Sequence, residues 1–188
     1  MSGHFARSIL SSRGGRNIVL SGPSGFLGSR VVDEVVKAQA LRKAKGLPPG
    51  QLILLSGSPG KLMANLSTQY SREAMSDIRA SRVDYYVQHD SDDWVNHMGS
   101  LGLQGESSVF INLAAVAGPV SGFKDAMYDV NYKACKAAAE ACAALKFAHF
   151  IQASTQATVT GKQVERGQAT FLQHQLQHCH RNRYTYCY

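Results

Sequence analysis

Seven residues constrain this chain more than any others: Gly22-Pro23-Ser24-Gly25-Phe26-Leu27-Gly28. They follow an apolar run at residues 17–21. They precede a stretch in which apolar side chains recur at 27, 31, 32, 35 and 36. The run suits a strand buried on both faces, and the recurrence predicts a helix from Phe26 to about Ala40. Gly22 permits a tight turn after the strand. Gly25 lets backbone approach a ligand with no Cβ in the way, and Gly28 lets the helix pack close to the sheet. A helix start also offers unpaired N–H groups and partial positive charge, so the predicted occupant is a phosphate, with the Ser24 hydroxyl as an added donor.

The remainder of the chain sets this loop in context. Lys43, Lys45, Gly46 and Pro48-Pro49 end the helix and open a loop. Residues 51–56 read as a second strand, followed by a turn at 57–60 and a helix of unspecified length. Further strands are predicted at 84–88, 108–115 and 147–153, with helices at 92–101 and 123–145 between them. Strands and helices that alternate through short connections imply right-handed βαβ units and a parallel sheet. The predicted class is α/β: a doubly wound, Rossmann-type parallel sheet of about five strands, with its switch point beside the first. The organisation is a basic arm at 1–16, a nucleotide-binding domain at 17–160 and a Gln/His-rich basic tail at 161–188.

Composition narrows the function. A hydrophobic share of 44% and a charged share of 18% are ordinary for a globular domain. No apolar run approaches the roughly 18 residues of a membrane span. The net charge of +7 gathers at the ends. Arg7, Arg13, Arg16 and Arg30 lie in an acid-free stretch at 1–32, and Arg166, Arg181 and Arg183 in another at 166–188. Nucleic-acid binding calls for a basic face on a folded element, and that pattern is missing. The four cysteines have no zinc-ligand spacing, and Cys135 and Cys142 read as packing residues of one helix. His174, His178 and His180 surround Cys179 without a carboxylate, so no metal site is expected. The arginines, serines and small apolar residues of the arm suit a mitochondrial presequence, which predicts a matrix location with a cytoplasmic alternative.

Four segments carry a resemblance to the extended and atypical short-chain dehydrogenases/reductases, together covering roughly residues 17–160. Residues 21–28, SGPSGFLG, are similar to the family's TGATGF(I/L)G loop. Val87-Gln-His-Asp90 resembles the V-x-G-D segment, whose Asp contacts adenine. Phe110-Ile-Asn-Leu-Ala-Ala115 resembles the V-I-H-L-A-A strand that lines the cofactor. Val130-Asn131 and Phe150-Ile-Gln-Ala-Ser-Thr155 resemble the V-N…F-V-x-x-S-S run. The resemblance implies a cofactor site made of Gly22, Ser24, Gly25, Phe26, Leu27, Gly28, Ser56, Ser58, Asp90, Leu113, Ala114 and Ala115. For Asp90 an N-cap role is an equal alternative. An acid at the end of strand two would bind the ribose hydroxyl of NAD. No Asp or Glu lies between Gln51 and Arg72, so NADP(H), served by Ser56, Ser58 or Lys61, is favoured over NAD(H). A module without cofactor is the remaining option.

The resemblance also implies a Ser or Thr after strand five, met by Ser154 and Thr155, and a Tyr-x-x-x-Lys pair on the helix that follows. That pair is absent: Lys162 is the sole lysine after residue 156, and no tyrosine precedes Tyr184 there. A literal match at Tyr132–Lys136 lies before strand five and reads as coincidental. Without a positioned acid and base, the usual ~10²–10⁴-fold contribution of proton transfer is missing. The family's second, substrate-binding domain is not expected in this chain either. Strand five would then be an open edge, to be covered by the tail or by a partner. These features predict a non-catalytic NAD(P)(H)-binding accessory subunit of a mitochondrial complex. The resemblance points to the nucleotide-binding accessory subunit of respiratory complex I as one instance. The alternative is an NAD(P)-dependent reductase or epimerase relative.

Overall fold

The computed structural model describes residues 17–103, 105–116 and 124–153. The basic arm, the tail, and the candidates Ser154 and Thr155 lie outside them.

Five short parallel strands form one sheet: β1 (Asn17–Ser21), β2 (Leu52–Ser56), β3 (Ile78–Arg82), β4 (Ser108–Asn112) and β5 (His149–Gln152), in the order β3-β2-β1-β4-β5. The helices are α1 (Phe26–Ala44), α2 (Pro59–Ser67), α3 (Arg72–Met75), α4 (Ser91–Ser100), α5 (Lys124–Tyr128) and α6 (Cys135–Ala144). Successive strand residues serve opposite faces. Ile18, Leu20, Leu52, Leu54, Val109 and Ile111 pack with Val32 and Val35 of α1 and Leu62 and Leu66 of α2. Val19, Ile53, Leu55, Phe110 and Phe150 pack with Trp94 and Met98 of α4 and Ala137, Ala141 and Cys142 of α6. Burial on both faces is why the central strands read as unbroken apolar runs. The predicted doubly wound sheet and its switch point between β1 and β4 are observed.

Several boundaries differ from the expectation. The third strand is Ile78–Arg82, not 84–88. It lies at the sheet edge, where only Ile78 is deeply buried, and its two arginines hide it from an apolar-run search. Residues 84–88, rich in Tyr and Val, form a turn closed by the Val87 and Gln88 N–H groups on the Asp84 carbonyl. Tyr86 and Val87 are exposed there. Strand four ends at Asn112, so Leu113, Ala114 and Ala115 lie beyond it. The first helix runs on to Ala44. The long helix expected at 123–145 is interrupted by a wider π turn, Asp129–Ala134, between α5 and α6.

Buried polar groups pin the loops. Gln39 Nε2 donates to the Gly50 carbonyl at 2.7 Å and Arg42 Nε to that of Pro48 at 3.1 Å. Lys43 pairs with Asp77 at 2.7 Å. His97 of α4 meets the Ser81 hydroxyl of β3 at 3.1 Å, and burial lowers its pKa from the usual histidine value. The unfolded chain therefore takes up a proton here before the folded one does, and stability falls as pH drops below the unfolded value near 6.5. Thermal melts of wild type and His97→Gln between pH 7.5 and 5 should show a smaller acid loss in the variant; equal losses would remove His97 as a cause. No helix among the described residues is long and apolar enough to cross a membrane.

Candidate functional site

The site forms where β1 and β4 end side by side. Gly22 adopts φ +67°, and a Cβ there would lie 2.8 Å from Leu113 C and 2.9 Å from Ala114 N. The backbone leaving β4 thus passes directly over it. At Gly28 a Cβ would lie 2.0 Å from the Gly22 carbonyl oxygen, so the first turn of α1 rests on the loop itself. Gly25 differs. It has extended backbone angles, and its Cβ would meet only the Gly22 carbonyl oxygen, at 3.4 Å. Folding requires glycine at 22 and 28, whereas at 25 the free space faces outward. Gly25 is also the N-cap of α1 and has no side chain to bond the first N–H groups, and the first turn holds no acid. An uncapped helix N-terminus behind an open glycine suits an anion. Phe26 and Leu27 stand at its mouth, 81% and 58% exposed, and Ser24 is exposed beside them.

Beneath this loop runs a row of polar side chains at one level of the sheet. Ser21, Asn112 and Gln152 are register partners on β1, β4 and β5. Ser21 Oγ donates to Asn112 Oδ1 and accepts the N–H groups of Leu113 at 3.0 Å and Ala114 at 3.1 Å. Asn112 Nδ2 and the Cys135 thiol both donate to Gln152 Oε1, at 2.7 and 2.8 Å. The row fixes residues 113 and 114, which the sequence placed against the cofactor. Farther along, the Asn131 carboxamide clamps Val116, accepting its N–H at 2.8 Å and donating to its carbonyl at 3.0 Å. Asn131 sits within the π turn, a device common at functional sites.

The other sequence candidates fall as follows. Ser56 and Ser58 lie at the end of β2, with Ser56 Oγ accepting the Ser58 N–H at 3.1 Å. Arg82, an exposed cation that the sequence reading did not single out, is the register partner of Ser56 on β3. Asp90 caps α4, its carboxylate accepting the Asp92 N–H at 2.8 Å. Since the third strand ends at Arg82, the first acid after it is Asp84, whose carboxylate accepts the Tyr86 N–H at 3.0 Å. The Tyr132–Lys136 match lies on the π turn and the start of α6. Tyr132 stacks on Tyr128 with ring centroids 4.9 Å apart, and Lys136 pairs with Glu140 at 3.5 Å on an exposed face. No cluster of metal-ligating side chains is present among the described residues.

No family model matches the chain, and no curated protein does. Solved structures match its fold. A short-chain dehydrogenase/reductase (glucose/ribitol dehydrogenase) from Brucella melitensis aligns with a TM-score of 0.58 at 15% identity, over 84% of this chain and 62% of that one. An NADPH-bound carbonyl reductase from chicken fatty liver gives 0.55 at 14%, over 81% and 62%. UDP-glucuronic acid 4-epimerase from Bacillus cereus, in complex with NAD, gives 0.50 at 21%, over 76% and 40%. The chain thus spans between 40% and 62% of the length of these proteins. The likeness is one of fold: a Rossmann-type sheet of the kind that short-chain dehydrogenase/reductase structures carry.

Proposed function

We propose that residues 17–160 bind a nicotinamide dinucleotide as the cofactor domain of a reductase- or epimerase-like protein, with NADP(H) preferred to NAD(H). The observation that carries this reading is Gly25: a glycine that the fold does not require, open to solvent at an uncapped helix N-terminus on the switch point. Gly22, Ser24, Gly25, Phe26, Leu27 and Gly28 would hold the diphosphate, and Leu113, Ala114 and Ala115 would line the cofactor. Asp90 and Asp84 are the candidates for adenine, each carboxylate also accepting the N–H two residues on. The 2′-phosphate would meet Ser56, Ser58, Lys61 and Arg82 with no acid among them. The bound group would supply hydride chemistry; this chain's residues bind and orient it.

A non-catalytic role rests on the sequence pattern, in which no Tyr-x-x-x-Lys pair follows Ser154. The accessory-subunit and mitochondrial readings rest on the basic arm and the sequence pattern alone. The similar folds bear the names of reductases and epimerases. Titration of the full chain with NADPH and NADH tests the proposal. NADPH should bind, NADH more weakly, and Asp84→Ala should weaken both about tenfold, the worth of roughly 1.4 kcal/mol at a hydrogen-bonded carboxylate. Failure to bind either would refute it, and NADPH oxidation with a ketone or a nucleotide sugar would exclude the non-catalytic variant.

A further inference from the structure

Two arginines lie on β3, and the fold engages one of them. Arg79, near the start of the strand, donates from Nη1 to Gln51 Oε1 at 3.5 Å. Arg82 ends the strand and is exposed, and its guanidinium has no ion pair or hydrogen bond among the described residues. Register pairs Arg82 with Ser56, the last residue of β2. Register partners share a face of the sheet, and so do residues two apart on one strand. Leu54 and Ala80, the partners two residues earlier, pack in the core layer under α1 and α2. Ser56 and Arg82 therefore fall on that same side, at the carboxyl edge of the sheet, just before the chain enters α2 at Pro59. The space between the two strand ends is open. Gly57 has no left-handed φ, and a Cβ there would meet only the Val83 carbonyl oxygen, at 3.9 Å. The fold thus does not call for glycine at 57. No acid lies between Gln51 and Arg72, and the Asp84 carboxylate is taken up by the Tyr86 N–H.

We propose that Arg82 is the residue that selects NADP(H) over NAD(H), its guanidinium reaching over Gly57 to hold the 2′-phosphate. The adenosine ribose of a dinucleotide is read at the end of strand two. Here that end is Ser56-Gly57-Ser58, which carries no charge, so the cation comes from the neighbouring strand. A planar guanidinium pairs two phosphate oxygens at once, whereas Lys61, on the first turn of α2, offers a point charge on a flexible stem. The assignment rests on the dinucleotide reading above. The test titrates wild type, Arg82→Gln, Lys61→Gln and Arg79→Gln in the full chain with NADPH, NADH and adenosine 2′,5′-bisphosphate. Arg82→Gln should bind NADPH and the bisphosphate about ten- to hundredfold more weakly. Its NADH affinity should be unchanged, which also reports an intact fold. Lys61→Gln should lose less than about threefold for NADPH, as befits an exposed point charge, and Arg79→Gln should match wild type. An Arg82→Gln protein that keeps the wild-type preference, or loses NADH equally, would overturn the assignment and leave the dinucleotide reading standing. So would an equal or larger loss in Lys61→Gln, or wild type that binds NADPH and NADH alike. Wild type that binds neither would overturn the dinucleotide reading, and this assignment with it.

Discussion

Replacing Gly28 by alanine should cost about 2–3 kcal/mol of stability and abolish dinucleotide binding. The added methyl would lie 2.0 Å from the Gly22 carbonyl oxygen and 2.8 Å from Pro23 Cα. Both neighbours are backbone, so relief requires the loop or α1 to move, and overpacking of this kind costs about 1–3 kcal/mol. Gly25→Ala is the control. Its methyl would meet one protein atom at ordinary contact distance and its backbone angles suit alanine. Stability should therefore change by no more than about 0.5 kcal/mol. Affinity for NADPH should still fall at least about tenfold, because the methyl occupies the space left for the ligand. Urea midpoints and NADPH titrations of both variants separate the two effects. A Gly28→Ala protein as stable as wild type would contradict the loop geometry, and a Gly25→Ala protein with full affinity would contradict the position of the ligand.

Ser21→Ala should be nearly as severe, at about 2–4 kcal/mol. One hydroxyl satisfies two backbone N–H groups and the Asn112 side-chain oxygen across the β1–β4 junction. Its removal leaves the Ala114 N–H and Asn112 Oδ1 unmet, each costing about 1–3 kcal/mol before relaxation, while the Leu113 N–H keeps the Ser21 carbonyl at 3.3 Å. The segment 113–115 also loses its anchor, so NADPH affinity should fall together with stability. Denaturant unfolding and ligand titration of the same preparation would check this. Unchanged stability would mean that water replaces the hydroxyl without loss.

These effects depend on residues of differing legibility in the sequence. Asn112 was visible as one polar residue inside an apolar strand, and Ser21 as the polar end of another, yet neither position reveals its partner. The pairing arises because register brings residues 91 apart to the same level of the sheet. The third strand was misplaced because an edge strand buries little and accepts arginines, while the tyrosines of 84–88 have strand propensity without strand partners. Asp90, for which a cap and an adenine contact were equal readings, does cap a helix, and Asp84, the first acid after the observed strand, bonds the Tyr86 N–H. Tyr85, read as a strand residue, instead packs its ring on Trp94 from a turn.

The sequence by itself determined the glycine loop, its strand and its helix, because these follow from local periodicity and from the room that a missing Cβ leaves. From the alternation of elements it also determined the doubly wound parallel sheet. Only the tertiary structure decided which glycines the fold needs and which it leaves open, because that is set by the backbone crossing above each one. It also decided which polar side chains are satisfied, because hydrogen bonds between strands depend on distances in space that spacing along the chain does not encode.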